Sequence, residues 1–432
     1  MPDEYWAIGF ENMYTSDLQT NSLGLNKADP TVMLVDLNSC FASVEQQANP
    51  LIRGKPVAVA AYTTPSGCIL AASYEAKALG VQTGMRVHDG KKLCPRLIVL
   101  PSDPPKYREV HARIADVLSV YTHEYAPKSI DEYVLRLDGY PVISKNSVQQ
   151  VGKQIKKRIK KEVGDNLTVS IGVGTSYFTA KVASNLRKPD GLETINHQNI
   201  LDVYRQLSLV DLHGINIRYG KRLNLAGIYS PIEFYQADLD KLKSVFKSVS
   251  AFYWYTRLRG WDVDDVEFGR RSFGNSYALP HSDGKRESLL PTLQRLVEKT
   301  GSRMRKAGYQ AHGIHLSLAF RDHGFWHKSK RLPHSIYDSK DIYQYMKKLL
   351  FACPQYKPVR ILAESCFALT KSEIVQFKLF ENVSVQKSLV RSIDMVNEKW
   401  GDFTVTPTRM LEAKKKVLDR IAFGQAGVEG AV

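Results

Sequence analysis

The run Thr31-Val32-Met33-Leu34-Val35 is apolar, rich in β-branched residues, and stops at a carboxylate, Asp36. A second strand-like run, Ser129-Ile130-Asp131-Glu132-Tyr133-Val134-Leu135, carries two adjacent acids inside it. Both patterns are those of buried strands. Acids in such strands are costly to bury unless positive charge meets them. A fold that brings the two runs into one sheet must therefore supply cations beside Asp36, Asp131 and Glu132. A divalent ion is one economical solution, because Mg²⁺ takes a few carboxylates together with phosphate oxygens. Hydrated acids at strand ends are the other, and residue types alone leave both open.

The intervening pattern sets the architecture. Residues 41–47 are helical in pattern, Pro50 and Gly54-Lys55-Pro56 break the helix, and 57–61 form a strand. Residues 70–100 read as a small compact unit: a helix over 71–79, a turn at Gly80, a short helix, and a strand over 97–100. Pro101, Pro104 and Pro105 punctuate its exit, and a helix follows over 107–121. Next, Val148, Val151, Ile155, Ile159 and Val163 recur every three or four residues, an amphipathic helix whose basic outer face reads as solvated. A strand over 167–173 closes the set. Strand, helix, insertion, helix, strand, helix, strand matches a ferredoxin-like sheet with one subdomain inserted after the first helix.

Residues 192–265 are helical with short loops. From Ser272 a second α+β pattern runs through a strand, a helix at 287–307, strands at 312–321 and 325–333, a helix at 338–350 and a strand at 358–369. In the first of the two adjacent strands Ile314, Leu316, Leu318 and Phe320 alternate with His315, Ser317, Ala319 and Arg321. Gly269, Arg270 and Arg271 mark 266–273 as a linker, and the aperiodic residues 1–30 are an extension.

Charge points to a polyanionic partner. Sixty Lys and Arg against 44 Asp and Glu leave a net charge of +16, which favours nucleic acid over a merely well-solvated basic surface. The excess is concentrated: between Phe268 and Glu381 stand 20 basic and 9 acidic residues. Hydrophobic residues at 43% suffice for real cores, and no apolar stretch is long enough for a membrane span. The five cysteines are odd in number and contain no CxxC pair, which points to a reducing compartment. No HxxxH pair lies on an apolar helix, which argues against zinc.

Four stretches carry a resemblance. Val35-Asp36-Leu37-Asn38-Ser39-Cys40-Phe41-Ala42-Ser43-Val44-Glu45, with Asn49-Pro50 and Gly54-Lys55-Pro56-Val57-Ala58-Val59 behind it, resembles the first motif of the Y-family translesion DNA polymerases. Ala72-Ser73-Tyr74-Glu75-Ala76-Lys77-Ala78-Leu79-Gly80-Val81 is similar to their nucleotide-contacting fingers helix, and Ser129-Ile130-Asp131-Glu132 to their second metal motif. Ile171-Gly172-Val173-Gly174, then Phe178-Thr179-Ala180-Lys181-Val182-Ala183-Ser184 and Lys188-Pro189-Asp190-Gly191, resemble the palm segment with its triphosphate lysine.

The resemblance implies an α+β right-hand polymerase with a ferredoxin-like palm (31–50 and 106–190), small fingers (51–105), a helical thumb (191–265) and an α+β little finger (274–375). It implies DNA-templated synthesis across damaged template from deoxynucleoside triphosphates on primer–template DNA, by a monomer in a bacterial cytoplasm, associated with the nucleoid. Asp36, Asp131 and Glu132, with the Leu37 carbonyl, would hold two Mg²⁺ ions. Phe41 would be the steric gate against a ribose 2′-hydroxyl, with a core aromatic as the other reading. Tyr74, Lys77 and Lys181 would contact the triphosphate.

Departures from the family pattern are Asn38 for a frequent Asp, Lys77 for a frequent Arg, Ala71 for a Thr, and the bulky Leu70. Leu212-His213-Gly214-Ile215-Asn216 stands where relatives have a helix-hairpin-helix turn, with Asn216 expected to tolerate a left-handed conformation. Gln376-Phe377-Lys378-Leu379-Phe380 resembles a sliding-clamp peptide, Gln376, Leu379 and Phe380 being its anchors, and residues 376–432 complete the chain as this motif and a tail. A non-catalytic DNA-binding relative and a two-metal nucleotide cyclase are the competing readings. The first would lack the acids, and the second has no use for a duplex grip.

Overall fold

The computed structural model describes residues 23–141, 147–264, 269–279, 284–371 and 383–413. These fall into two compact units, meeting in sequence near residue 266.

In the first unit the strand β1 is Val32–Leu37 and the helix α1 is Cys40–Ala48. There follow β2 Val57–Ala60, β3 Ile69–Ala72, α2 Tyr74–Lys77, α3 Val87–Leu93 and β4 Ile98–Pro101. Next come α4 Pro104–Ser119, β5 Tyr125–Pro127, β6 Glu132–Arg136, α5 Val148–Arg158, β7 Val169–Gly174, α6 Tyr177–Leu186 and β8 Leu192–Thr194. Five helices end the unit: α7 Ile200–Gln206, α8 Ile217–Leu225, α9 Pro231–Gln236, α10 Leu239–Phe246 and α11 Ser250–Arg257.

The main sheet runs β5-β6-β1-β7-β8, with β1 antiparallel to both neighbours and β8 parallel to β7. The central strand is buried on both faces, and its period-2 alternation divides the work. Met33, Val35 and Leu37 enter a core with Val44, Tyr107, Ile114, Val151 and Ile155, from α1, α4 and α5. Val32 and Leu34 face the other way and meet Val134 and Ala180 of α6. Asp36 continues this second set, so the alternation aims it at α6.

That helix lies unusually close. A Cβ on Gly172 of β7 would stand 2.0 Å from the Ala180 carbonyl oxygen and 2.3 Å from the Ser184 nitrogen. Only a residue without a side chain admits this approach. Ser176 caps α6, its hydroxyl accepting from the Thr179 N–H. A small sheet, β3-β2-β4, holds its own core of Ala58, Ala60, Ile69, Ala76 and Val87.

In the second unit β9 is Ser272–Ala278, α12 Leu290–Lys306, β10 Tyr309–Phe320, β11 Phe325–Ile336, α13 Ser339–Phe351, β12 Val359–Lys371 and α14 Val383–Trp400. Its antiparallel sheet runs β11-β10-β12-β9. Ile314, Leu316, Leu318 and Phe320 are fully buried, as their alternation implies. The edge strand β11 exposes Lys328, Lys330 and Arg331, and charged edges of this kind resist pairing with another chain.

Several boundaries differ from the sequence expectation, each for a local reason. Ala71 and Ala72, expected in a helix, complete β3 in register with Val59 and Ala58; the helix starts only after Ser73, whose hydroxyl caps it. Pro104 and Pro105 do not end the inserted unit but open α4, where missing N–H groups carry no penalty. The acid-bearing strand begins at Glu132, leaving Asp131 just ahead of it, and β1 extends through Asp36 rather than stopping there. The amphipathic helix is α-helical only to Arg158 and finishes in a π-turn over Ile159–Val163. Leu192–Thr194, expected among the thumb helices, adds an edge to the main sheet through its pairing with β7. β9 starts at Ser272, where the second α+β pattern is expected to begin, so the 266–273 linker stops two residues short, with Phe273 buried in the strand.

A Gly172→Ala variant forces β7 and α6 apart. Overpacking costs about 1–3 kcal/mol, and a clash with rigid backbone belongs at the upper end. Its melting temperature falls well below wild type, whereas Gly269→Ala, with nothing within 4 Å of the new methyl, melts unchanged.

Candidate active site

The sheet register brings the acids together. Asp36 and Glu132 are direct cross-strand partners, so their side chains share a face, and the Leu37 N–H donates to the Asp131 carbonyl at 2.8 Å. Like charges placed opposite in a ladder repel. The remedy comes from α6. Lys181 Nζ lies 2.7 Å from Asp36 Oδ2 and 2.8 Å from Glu132 Oε1, and Lys188 Nζ reaches the same Asp36 oxygen at 2.7 Å. Asp36 is 5% exposed, so these contacts are little screened. Burial alone would pull the Lys181 ammonium down, yet Asp36 and Glu132 hold it well above the usual lysine range. Asp131 stands slightly apart, its carboxylate accepting from the Ser129 hydroxyl. Burial pushes its carboxyl up, Ser129 pulls it down, and the charges of Asp36 and Glu132 push it up again.

One cavity of about 690 Å³ collects the site. Asp36, Leu37, Phe41, Lys77, Asp131, Glu132 and Lys181 all line it, which is seven of the eight residues expected from sequence for metal and nucleotide. Tyr74 is the exception. It does not line the cavity; its ring carries the Lys77 ammonium 4.6 Å from the centroid. Lys77 Nζ in turn donates to the Ser39 hydroxyl at 2.8 Å. Burial pulls the Lys77 ammonium down, and the charge of Lys188 adds to the effect.

Of the other positions singled out in the sequence, Asn216 alone settles differently from expectation. Asn38 is no ligand: its amide donates to Ser170 Oγ at 2.9 Å and accepts the Asp190 N–H at 2.9 Å, tying β1 to the loop after α6. Asn216 is extended, not left-handed, and caps α8 by accepting from the Arg218 and Tyr219 N–H groups; Gly214, at φ +97°, takes the left-handed position. Gln376, Leu379 and Phe380 lie outside the described residues.

Sequence reasoning missed Lys188, although the Lys188-Pro189-Asp190-Gly191 stretch was singled out and a lysine beside a triphosphate motif was the available signal. It missed Tyr177 and His213, whose rings meet edge-to-face at the cavity wall. For these no local signal exists, since they come from separate elements.

Among the described residues no three His, Cys, Asp or Glu side chains form a ready-made metal cage. The Lys181 ammonium stands between Asp36 and Glu132 instead. The donor chemistry nonetheless fits a hard divalent cation: two carboxylates and a third beside them, all oxygen donors, on one wall of a cavity.

A family model described as impB/mucB/samB matches residues 35–185, and a second, for that family's C-terminal domain, matches residues 270–379. A DNA polymerase IV from Moorella thermoacetica is 32% identical over 382 residues, spanning 87% of this chain and 94% of the relative. Another, from Pelotomaculum thermopropionicum, is 30% identical over 380 residues, with 87% and 94% covered. Among solved structures, a Y-family DNA polymerase chimera of Dbh and Dpo4 superposes with a TM-score of 0.69 over 79% of this chain and 99% of its own, at 24% identity. That likeness identifies the fold.

Removing the shared cation exposes its role. Breaking a buried ion pair costs about 3–5 kcal/mol, so Lys181→Met lowers the melting temperature markedly. Lys188→Met, whose side chain is 29% exposed, lowers it less. Because the Lys181 ammonium is held above its ordinary range, the wild-type advantage over Lys181→Met is full at neutral pH and is lost as pH rises beyond the lysine range, a trend that melting curves across alkaline pH read directly.

Proposed function

Since the chain belongs to the Y-family of DNA polymerases, the impB/mucB/samB family, we propose that it extends primers across damaged template by two-metal-ion nucleotidyl transfer in the cavity around Asp36. The observation that carries this reading is the register of β1 on β6, which sets Asp36 opposite Glu132 with Asp131 adjacent, on the wall of a cavity also lined by Phe41 and four lysines. The acids are present, so a non-catalytic relative has nothing to recommend it.

Asp36, Asp131, Glu132 and the Leu37 carbonyl would hold the two Mg²⁺ ions, which when bound activate the primer hydroxyl and steady the leaving pyrophosphate. The chain's own residues do the rest. Lys77, Lys181 and Lys188 set three ammonium groups around the cavity, where the negative charge of a triphosphate needs them. As a lysine, Lys77 offers a single pivoting contact and no bidentate fork. Tyr74 backs Lys77 through its ring. Phe41, 7% exposed and lining the cavity, is the steric gate in this reading.

The main sheet with α1, α4, α5 and α6 is then the palm, the β3-β2-β4 subdomain the fingers, the helices from α7 to α11 the thumb, and the second unit the little finger. Its concentrated positive charge supplies salt-dependent grip on the DNA backbone. The loop ending in α8, with backbone N–H groups near Gly214, suits a DNA phosphate. Gln376, Leu379 and Phe380 are proposed to anchor the protein to a sliding clamp as a short apolar peptide in a groove. A monomer in a bacterial cytoplasm completes the reading.

Primer extension tests it. Asp131→Ala and Glu132→Ala each abolish extension on a primer–template with Mg²⁺ while retaining DNA affinity in a mobility-shift titration. Full extension by both variants rejects the assignment.

Sugar choice tests the gate. A 2′-hydroxyl pressed into the Phe41 ring costs about 1–3 kcal/mol, on the order of 5- to 150-fold in kcat/KM. Phe41→Ala raises ribonucleotide incorporation by that order and changes deoxynucleotide use less. Equal falls with both sugars, together with a lower melting temperature, mark Phe41 as a core residue only.

A further inference from the structure

Behind Phe41 stands a second ring that no step of the reaction uses. Tyr107 of α4 lies parallel to Phe41, the centroids 4.3 Å apart and the planes 11° from parallel. Phe41 lines the cavity and Tyr107 does not, so Tyr107 is the inner ring, 1% exposed. Its hydroxyl donates to Glu45 Oε1 at 2.9 Å. Glu45 sits one helical turn beyond Phe41 on α1, itself buried, and its other oxygen takes Lys106 Nζ at 2.7 Å. Lys106 also pairs with Asp103, the residue that caps α4. Burial pushes the Tyr107 phenol far above its ordinary range, so it remains a donor at any working pH. The result is a closed loop from Phe41 through Tyr107 to Glu45 and back to Phe41 along one turn of α1.

We propose that Tyr107 is a positioning residue for sugar selection, holding the Phe41 ring in place through the stack while Glu45 and Lys106 fix Tyr107 in turn. The inference rests on reading Phe41 as the steric gate. Its physical basis is that a steric gate excludes only as well as its ring resists displacement. A side chain that can turn aside relieves the overpacked contact, and a close-packed parallel ring denies it that freedom. The arrangement also accounts for a buried carboxylate. An acid inside a core is retained at a cost in desolvation, and Glu45, away from the reacting groups, contributes the acceptor that orients the phenol. Lys106 supplies the compensating charge.

The full-length protein carries the test, with kcat/KM measured for a ribonucleotide and its deoxy counterpart on the same primer–template. Tyr107→Leu removes the ring and raises the ribo-to-deoxy ratio by at least about fivefold, the lower bound for the gate contact itself. Tyr107→Phe keeps the ring but loses the Glu45 contact, so its ratio lies between wild type and Tyr107→Leu, a graded rescue that a loss of general packing would not give. Because Tyr107 acts through Phe41, Tyr107→Leu adds nothing to the ratio once Phe41→Ala is present. Should Tyr107→Leu not fold, Tyr107→Met, which keeps bulk without a flat ring, is read the same way. An unchanged ratio in the Phe41→Ala variant overturns the gate reading. A relaxed ratio in Phe41→Ala with an unchanged ratio in folded Tyr107→Leu or Tyr107→Met overturns the positioning role alone.

Discussion

The main sheet depends on one ammonium group. Its central strand is apolar on both faces until Asp36, and the antiparallel pairing sets a second carboxylate, Glu132, directly opposite. Two such charges in an apolar sheet would oppose its formation. Lys181 meets both at hydrogen-bond distance, which is possible only because α6 lies nearly flush against β7. Gly172 and Gly174 permit that approach, since a Cβ at either would enter the helix. The glycines, the lysine and the acids are therefore one device. A side chain at Gly172 would lift α6 and take the lysine away from the charges it neutralises.

The same arrangement explains where chemistry can occur. One face of β1 is given to packing, where Met33, Val35 and Leu37 meet α1, α4 and α5. The other face ends in charge. Asp36 thus stands on a strand that is immobilised on both sides, and positional precision follows from the core and not from the site's own contacts. Phe41 profits in the same way: it is five residues further along the chain, on a helix whose buried face belongs to that core. Phe41 and the neighbouring acids are held by a common hydrophobic cluster, so their separation is fixed by packing.

Much of this was legible in the sequence. The acids could be placed on strands by the apolar runs around them, the period-2 alternation of β10 survives intact, and the amphipathic helix at Val148 appears where its repeat put it. What escaped was decided by single polar or imino groups. Ser73 caps a helix that starts three residues later than the pattern from Ala71 implies, because a cap overrides weak propensity. Pro104 and Pro105 read as punctuation at the exit of the inserted unit, yet proline is equally at home in a first helical turn. Lys188 and Tyr107 escaped for a different reason. Their partners lie 152 and 66 positions away, and no local pattern encodes a meeting at that range.

The lysines also bear on how substrate is received. Both Lys181 and Lys188 spend their charge on Asp36, and Lys77 rests on Ser39 and the Tyr74 ring. Each cation thus has an interim partner within the protein. An unpartnered buried ammonium would be costly, as would an unpartnered carboxylate, so the groups that the proposed function assigns to a nucleotide stabilise one another in the free protein. Binding then exchanges ion pairs and does not create charge in an apolar setting. Asp36 and Lys181 are already buried in the folded chain, and on the proposed function the phosphates of a nucleotide would compete with the carboxylates for the same ammonium groups.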